Sequence, residues 1–184
     1  MEKRFTSKRA VRGTRAGFTL IELAVATSIL MIGIVSVLSA TTRMHTLRQA
    51  NREHVLAQNA VRSMAERMHA AAHGFAPDPG TWAQNLLDAY SAGGSFGATF
   101  AVEGLTLVDG EASVGTIRIF SDETDGDAEL GARLAMPRDL NGDGDDDDTD
   151  VSGGARLLPV VLTLRWRGES GLQQVRHGFF LMAD

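Results

Sequence analysis

An uncharged apolar run of 20 residues, Leu23–Thr42, is the feature that most constrains this chain. A helix of about 20 residues spans the hydrocarbon core of a membrane. Because lipid offers no hydrogen-bond partners to the backbone, we expect this segment to be helical throughout. One carboxylate, Glu22, stands at its head. A charge at the bilayer centre costs about 2.5–3.5 kcal/mol on insertion scales, so we expect Glu22 to have a partner.

The residues before this run are strongly basic. Residues 1–17 contain six basic side chains and one acidic side chain. The positive-inside rule predicts that they stay in the cytoplasm and that the C-terminal part of the chain lies across the membrane. A secretory signal peptide fits poorly, since its apolar region is about 7–15 residues long and its cleavage site follows that region. A plain signal anchor is the other alternative, and it leaves Glu22 unexplained. The basic residues are Lys3, Arg4, Lys8, Arg9, Arg12 and Arg15.

The junction Gly17–Glu22, with the sequence GFTLIE between the basic leader and the apolar run, resembles the N-terminal signal of type IV pilins and type II secretion pseudopilins. The resemblance implies that a membrane prepilin peptidase cleaves between Gly17 and Phe18 and methylates the new amino group of Phe18. Glu22 then becomes the fifth mature residue. The resemblance further implies that Glu22 pairs with the Phe18 amino group of a neighbouring subunit on assembly.

Within that family, the chain resembles minor subunits of the PilV and GspI kind. The similarity rests on Ile29–Ile34, on Ala57–Met68 and on the segments Leu162–Arg167 and Gln173–Phe180. Major pilins commonly carry a proline in the membrane helix and a disulfide that closes a C-terminal loop. This chain has no cysteine, and its first proline is Pro77. The resemblance therefore implies a minor or initiating subunit.

The hydrophobic pattern predicts an α+β fold in which a long N-terminal helix packs on a C-terminal antiparallel sheet. Residues 18–73 form one helix in this prediction, which Gly74 and Pro77 end. Its first half, 18–42, is apolar all round, and its second half, 43–74, is amphipathic. The stripe that we expect to be buried consists of Leu47, Ala50, His54, Ala57, Val61, Met64, Met68 and Ala71.

The rest of the chain, 75–184, is predicted to form the globular α+β part. A short helix is expected at 81–90, docked through side chains that include Asn85 and Leu86. Alternating apolar residues and turn signals predict four strands, at 98–108, 114–120, 157–167 and 173–182. Asp109-Gly110 predicts a turn between the first two strands, and Gly168–Gly171 predicts a turn between the last two.

Composition narrows the function. The whole chain has 18 basic and 23 acidic residues, so the chain after residue 17 has 12 basic and 22 acidic residues and a charge of −10. Such acidity argues against nucleic acid as the primary partner. The absence of cysteine rules out disulfides and thiolate metal sites. No nucleophile elbow, phosphate loop or paired catalytic set is present in the sequence, so we do not expect an enzyme.

A twelve-residue acidic segment, 139–150, matches the pattern of an EF-hand calcium loop. Gly144 occupies the sixth position, where the loop turns sharply. Asp146 at the eighth position is a mismatch, because that position is normally apolar. The expected calcium ligands are Asp139, Asn141, Asp143, Asp145 through its backbone carbonyl, Asp147 through a water molecule, and Asp150, which replaces the usual glutamate at the twelfth position.

The alternative is a solvated acidic loop whose aspartates repel one another. If the loop binds calcium, we expect the ion to have a structural role. The earlier acidic segment 122–127 lacks the spacing for a second loop and is a minor candidate for contributing a ligand.

Together these features predict a minor type IV pilin that is processed by prepilin peptidase and assembles with other pilin or pseudopilin subunits. Before assembly it would cross the inner membrane once, with its N-terminus in the cytoplasm. After assembly it would lie in a fibre in the periplasm or at the cell surface. The alternatives are a minor pseudopilin of a type II secretion system and a pilus-tip adhesin or DNA-uptake subunit.

Overall fold

The computed structural model describes residues 17–75, 79–126 and 134–183. The chain divides into two compact units, one reaching to Met44 and the other starting at His45. The predicted α+β fold is confirmed. Helix α1 (Leu20–Gly74) is followed by helix α2 (Pro79–Ala89) and by a four-stranded antiparallel sheet.

The first unit contains the apolar part of α1. Each residue from Gly17 to Met44 is exposed. The most apolar stretch has a mean hydropathy of 2.3, and the helix is long and apolar enough to cross a membrane. Five hydroxyl side chains donate hydrogen bonds to carbonyls one turn earlier, so they are satisfied without water, as lipid requires. They are Thr27, Ser28, Ser36, Thr41 and Thr42, at distances of 2.8–3.0 Å.

The sheet of the second unit consists of β1 (Thr99–Phe100), β2 (Gly115–Ile119), β3 (Leu157–Gly168) and β4 (Gly171–Met182), in that spatial order. The last two strands form one long hairpin in which Gly168 faces Gly171. The positive φ of this turn, +99°, falls on Gly171, the first residue of β4, where glycine adopts it without strain. The two strands predicted at 157–167 and 173–182 are confirmed.

The first predicted strand, 98–108, is wrong in length, since β1 contains only two residues. After Phe100 the chain leaves the ladder and turns at Gly104, whose φ of +86° is incompatible with a strand. The turn at Asp109-Gly110 is present, with Gly110 at φ +87°. It connects irregular segments rather than two paired strands.

The second half of α1 belongs to the core of the second unit, but the buried stripe differs from the predicted one. Ala57, Val61 and Met68 are buried as expected, whereas Leu47 is 64% exposed. The indoles of Trp82 and Trp166 are fully buried in the same cluster. Met64 is only partly buried against this cluster, whereas its neighbour Ala65 is buried. The buried residues of α1 are Glu53, Ala57, Val61, Ala65, Met68 and Ala72.

Two indole nitrogens bond to α1 within this core. Trp82 Nε1 donates to the backbone carbonyl of Ala72 at 3.0 Å, which fixes α2 near the end of α1. Trp166 Nε1 donates to Glu53 Oε2 at 3.3 Å, and Glu53, which the predicted stripe did not include, is buried. Helix α2 buries Trp82 and Leu86, whereas Asn85, which we expected to dock, is exposed.

Candidate functional site

The N-terminal motif folds into a capping box at the start of α1. The Glu22 amide donates to Thr19 Oγ1 at 3.3 Å, and the Thr19 amide donates to Glu22 Oε2 at 3.4 Å. The Leu23 amide bonds to the Thr19 carbonyl, which makes Thr19 the N-cap residue. This reciprocal pair satisfies two amides that a helix N-terminus otherwise leaves without partners. Sequence reasoning missed it, although a threonine three residues before a glutamate is its recognised signature.

The predicted cleavage site lies in an open segment. Phe18 is 87% exposed, and a side chain built at Gly17 would contact no atom within 4 Å. Glu22 is also exposed at the head of the helix. The basic residues of the leader, from Lys3 to Arg15, lie outside the described residues.

The acidic loop is anchored at both ends. Leu140 and Val151 are buried in the core of the second unit, 1% and 4% exposed. The Leu140 carbonyl accepts hydrogen bonds from the amides of Arg156 and Leu157 at 2.8 and 3.0 Å. The Val151 amide donates to the Ser121 carbonyl at 2.8 Å. The two ends are therefore held in place, and the aspartates between them form the exposed part.

Inside the loop, several predicted ligands accept hydrogen bonds from nearby amides. Asp139 accepts from the amides of Gly142 and Gly144, the latter at 3.1 Å. Asn141 Oδ1 accepts from the Asp143 amide at 2.9 Å. Gly144 has a φ of +108°, which fits the glycine that the loop pattern requires at this turn.

Glu123 lies at the base of this loop and is fully buried. Its Oε1 accepts from the amides of Leu140 and Asn141, the second at 3.2 Å. Its Oε2 is buried without a hydrogen-bond partner. Its backbone amide donates to the Asp148 carbonyl at 2.9 Å, which joins it to the far side of the loop. An unsatisfied buried polar atom costs about 1–3 kcal/mol, and more when it is charged.

Three carboxylates meet here. Oxygen atoms of Glu123, Asp145 and Asp148 all lie within 4.8 Å of one another. The charges of Asp143 and then Asp147 raise the pKa of the Asp145 carboxyl. The loop thus concentrates negative charge beside a buried glutamate.

Asp150 lies apart from this group. Its Oδ1 accepts from the Ser152 amide at 3.0 Å, and hydrogen bonds from Ser152 lower the pKa of its carboxyl. A carboxylate engaged in this way is held in its charged form by its own turn.

Of the predicted calcium ligands, Asp145 belongs to the three-carboxylate group through its side chain. Asp139, Asp143, Asp147 and Asp150 do not belong to the group found among the described residues. Asn141 lies beside it, since its Nδ2 donates to Asp148 Oδ2 at 2.9 Å. The calcium assignment itself stays a prediction.

Sequence reasoning did not name Asp148 as a ligand, and it included Glu123 only within the acidic segment 122–127, a minor candidate. The only available signal for Glu123 was its place in the acidic segment that we treated as a minor candidate. Nothing in the sequence distinguishes it as buried, because its neighbours Asp122 and Asp125 are acidic too.

Comparison with protein families gives a match to the N-terminal part of the chain. The family described as the prokaryotic N-terminal methylation motif matches residues 12–38. Comparisons with curated proteins and with solved structures find no match. The motif indicates a prepilin peptidase substrate of the pilin or pseudopilin kind, and the apolar helix is consistent with membrane anchoring. Together with the long helix and the antiparallel sheet that follows it, the motif supports the placement of this chain in the type IV pilin-like family.

Proposed function

We propose that this chain is a minor type IV pilin, a structural and assembly-priming subunit rather than an enzyme. The observation that carries the proposal is the methylation motif at the head of a helix whose apolar first part, up to Met44, is exposed at each residue. Side chains such as Phe18, Ile29 and Leu38 are 87%, 65% and 61% exposed. An exposed apolar surface of this kind needs lipid or other subunits to cover it. Lipid covers it before assembly, and neighbouring pilin helices cover it afterwards.

Glu22 sets the axial position of the subunit in this proposal. In the separate chain its carboxylate caps its own helix through Thr19. In the fibre it pairs with the methylated amino group of Phe18 on a neighbour. That pairing in a low-dielectric bundle is favoured over two unpaired charges, since each buried charge without a partner is strongly destabilising.

Two sequence features support a minor subunit over the bulk subunit. The chain has no cysteine, and no proline interrupts α1. A minor pseudopilin of a type II secretion system shares both features and is the nearest alternative. The ratio of this chain to the bulk subunit in purified fibres, measured by quantitative mass spectrometry, tests the minor role. A ratio near or above one would contradict it.

Processing is tested by the intact mass and N-terminal sequence of the membrane-extracted protein, with and without active prepilin peptidase. We expect a chain that starts at N-methylated Phe18 only when the peptidase is active. An uncut chain that starts at Met1, or a cut beyond residue 40, would contradict the proposal.

The assembly role is tested with Glu22→Ala. We expect the variant to be exported and cleaved but poorly incorporated into fibres, because the pairing that sets its position is lost. Glu66→Ala is the matched control, since Glu66 is an exposed α1 residue that pairs with Arg62 at 3.0 Å. Normal incorporation of Glu22→Ala would rule out this role for Glu22.

A further inference from the structure

We propose that Glu123, Asp145 and Asp148 form a binding site for one calcium ion, in which Glu123 reaches the ion from outside the acidic loop. The proposal goes beyond the assembly role and does not depend on it. It rests on two independent observations about the described residues: the mutual approach of three carboxylates and a buried carboxylate oxygen without a partner.

The first observation alone would describe any acidic surface cluster. The second is different, because Glu123 is fully buried and its side chain is held in one orientation. Two backbone amides, of Leu140 and Asn141, bond to Oε1 and leave Oε2 free. Because the Glu123 carboxylate lies in one group with those of Asp145 and Asp148, which repel it, and its Oε2 has no hydrogen-bond partner, a cation is the partner that this arrangement lacks.

The chemistry of the ligand atoms indicates which cation the site would bind. All three ligands are carboxylates, so the site offers hard oxygen donors. Hard oxygen donors suit calcium and magnesium rather than zinc or copper. Calcium accepts six to eight oxygens in flexible geometry, whereas magnesium demands near-ideal octahedral geometry and keeps its water. One exposed and one partly buried aspartate beside a buried glutamate do not impose octahedral geometry, so the site fits calcium better.

This site differs from the EF-hand register that the sequence predicts. In that register the twelfth residue, Asp150, closes the site, but its carboxylate is engaged by the Ser152 amide. Glu123 instead supplies the longer acidic side chain that the twelfth position lacks. The ion would therefore connect the acidic loop to the segment that follows β2. The Glu123 amide already joins the same two segments through the Asp148 carbonyl.

Isothermal titration of the full chain in detergent, at 150 mM NaCl, tests the proposal with calcium chloride and with magnesium chloride as the comparison. We expect one calcium per chain, weaker magnesium binding and a higher thermal unfolding midpoint in calcium than in EGTA. We expect Glu123→Gln and Asp148→Asn to weaken calcium binding at least tenfold. Two matched controls from the same loop, Asp146→Asn and Asp150→Asn, should stay within about threefold of the parent.

The stability of Glu123→Gln separates loss of the ion from misfolding. In calcium this variant should unfold at a lower temperature than the parent. In EGTA it should unfold at the same or a higher temperature, because it removes a charge that faces Asp145 and Asp148. If it does not fold, Asp148→Asn decides alone, since Asp148 is only partly buried.

Three results would overturn the proposal. The parent chain could show no calcium binding at millimolar concentration. Asp150→Asn could abolish binding while Glu123→Gln and Asp148→Asn leave it intact, which would favour the EF-hand register. All four variants could weaken binding equally, which would indicate a diffuse ion atmosphere around an acidic loop.

Discussion

The two halves of α1 differ in whether their side chains are buried within the chain. From Gly17 to Gln49 each residue is exposed, although most of the first half is apolar. From Glu53 to Ala72 a narrow stripe is buried, although the sequence there is rich in charge. Hydrophobicity alone therefore does not tell which half is buried within the chain. Within the part of the chain that the structure describes, the first half buries no residue, whereas the second half packs in one core with the sheet and α2.

The contrast extends to two glutamates of the helix, Glu22 and Glu53. Glu22 is exposed in an apolar segment and caps its own helix. Glu53 is 8% exposed in a polar segment and accepts a hydrogen bond from a buried indole. The first half should therefore matter for processing and assembly, and the second half for stability. The following predictions test this division.

Trp166→Ala should have the largest effect on stability. Its fully buried indole lies in the core with α1, and removal of a buried tryptophan costs about 3–5 kcal/mol. Denaturant unfolding of the full chain in detergent measures the loss. Leu30→Ala is the control, since Leu30 is 62% exposed, and it should leave the unfolding midpoint unchanged. Equal destabilisation by both variants would break the proposed division.

Glu53→Ala should destabilise the second unit by about 1–3 kcal/mol, because Trp166 Nε1 then remains buried without an acceptor. Glu53→Gln keeps an acceptor oxygen and should recover most of the loss. Glu66→Ala, an exposed change on the same helix, should stay within about 0.5 kcal/mol of the parent. If Glu53→Ala unfolds at the same denaturant concentration as Glu66→Ala, the hydrogen bond between Trp166 and Glu53 contributes nothing to stability.

Thr19→Val should leave the second unit intact and fray the start of α1. Loss of an N-cap hydroxyl costs about 0.5–2 kcal/mol locally. Hydrogen exchange in detergent should show faster exchange at the amides of Ile21, Glu22 and Leu23. In the control Thr27→Val, the lost hydroxyl donated to carbonyls inside the helix, so these amides should stay protected. Unchanged exchange in Thr19→Val would argue against the capping box.

The smallest effect concerns Tyr90, the only tyrosine of the chain. Burial raises the pKa of its phenol above the ordinary value of 10.0, and the charge of Arg67 partly opposes this. The folded state therefore keeps its proton at a pH where the unfolded state loses it, so stability should fall as the pH rises above 10. In a pH titration followed by tyrosinate absorbance, the midpoint should lie at a higher pH in the folded protein than in the unfolded protein. Equal midpoints would show that burial does not raise the pKa of Tyr90. As a control, Tyr90→Phe should abolish the tyrosinate absorbance.

The sequence predicted the features that follow from local pattern. The apolar run, the long helix, and the β3–β4 hairpin with its glycine turn are each visible in consecutive residues. The features that it did not predict depend on residues far apart in the chain. Glu53 and Trp166 are separated by 113 residues, and Glu123 and Leu140 by 17. Helical spacing placed Glu53 on the polar side, because periodicity cannot show that a buried indole needs an acceptor.

Because local pattern does not show distant contacts or backbone angles, the predictions for the acidic loop and the first strand differ from the structure. The EF-hand pattern assigns ligands by position within twelve residues, so it cannot include Glu123, which lies before the loop. The strand prediction at 98–108 followed alternating apolar residues and gave too little weight to Gly104, whose backbone turns the chain away. In each case a contact or a dihedral angle outweighed the local pattern.

The hydroxyl groups of the apolar half bear on how such helices recognise one another. The hydroxyl groups of Thr27, Ser28 and Ser36 already donate hydrogen bonds to carbonyls of their own helix. Their contribution to contacts with other helices is then mainly one of shape. Smooth, non-directional surfaces of this kind can slide along each other with little change in energy. A bundle of such helices would have many axial offsets between neighbours with nearly equal energy. A single charge at a fixed position along each helix, such as Glu22, would then be enough to favour one offset.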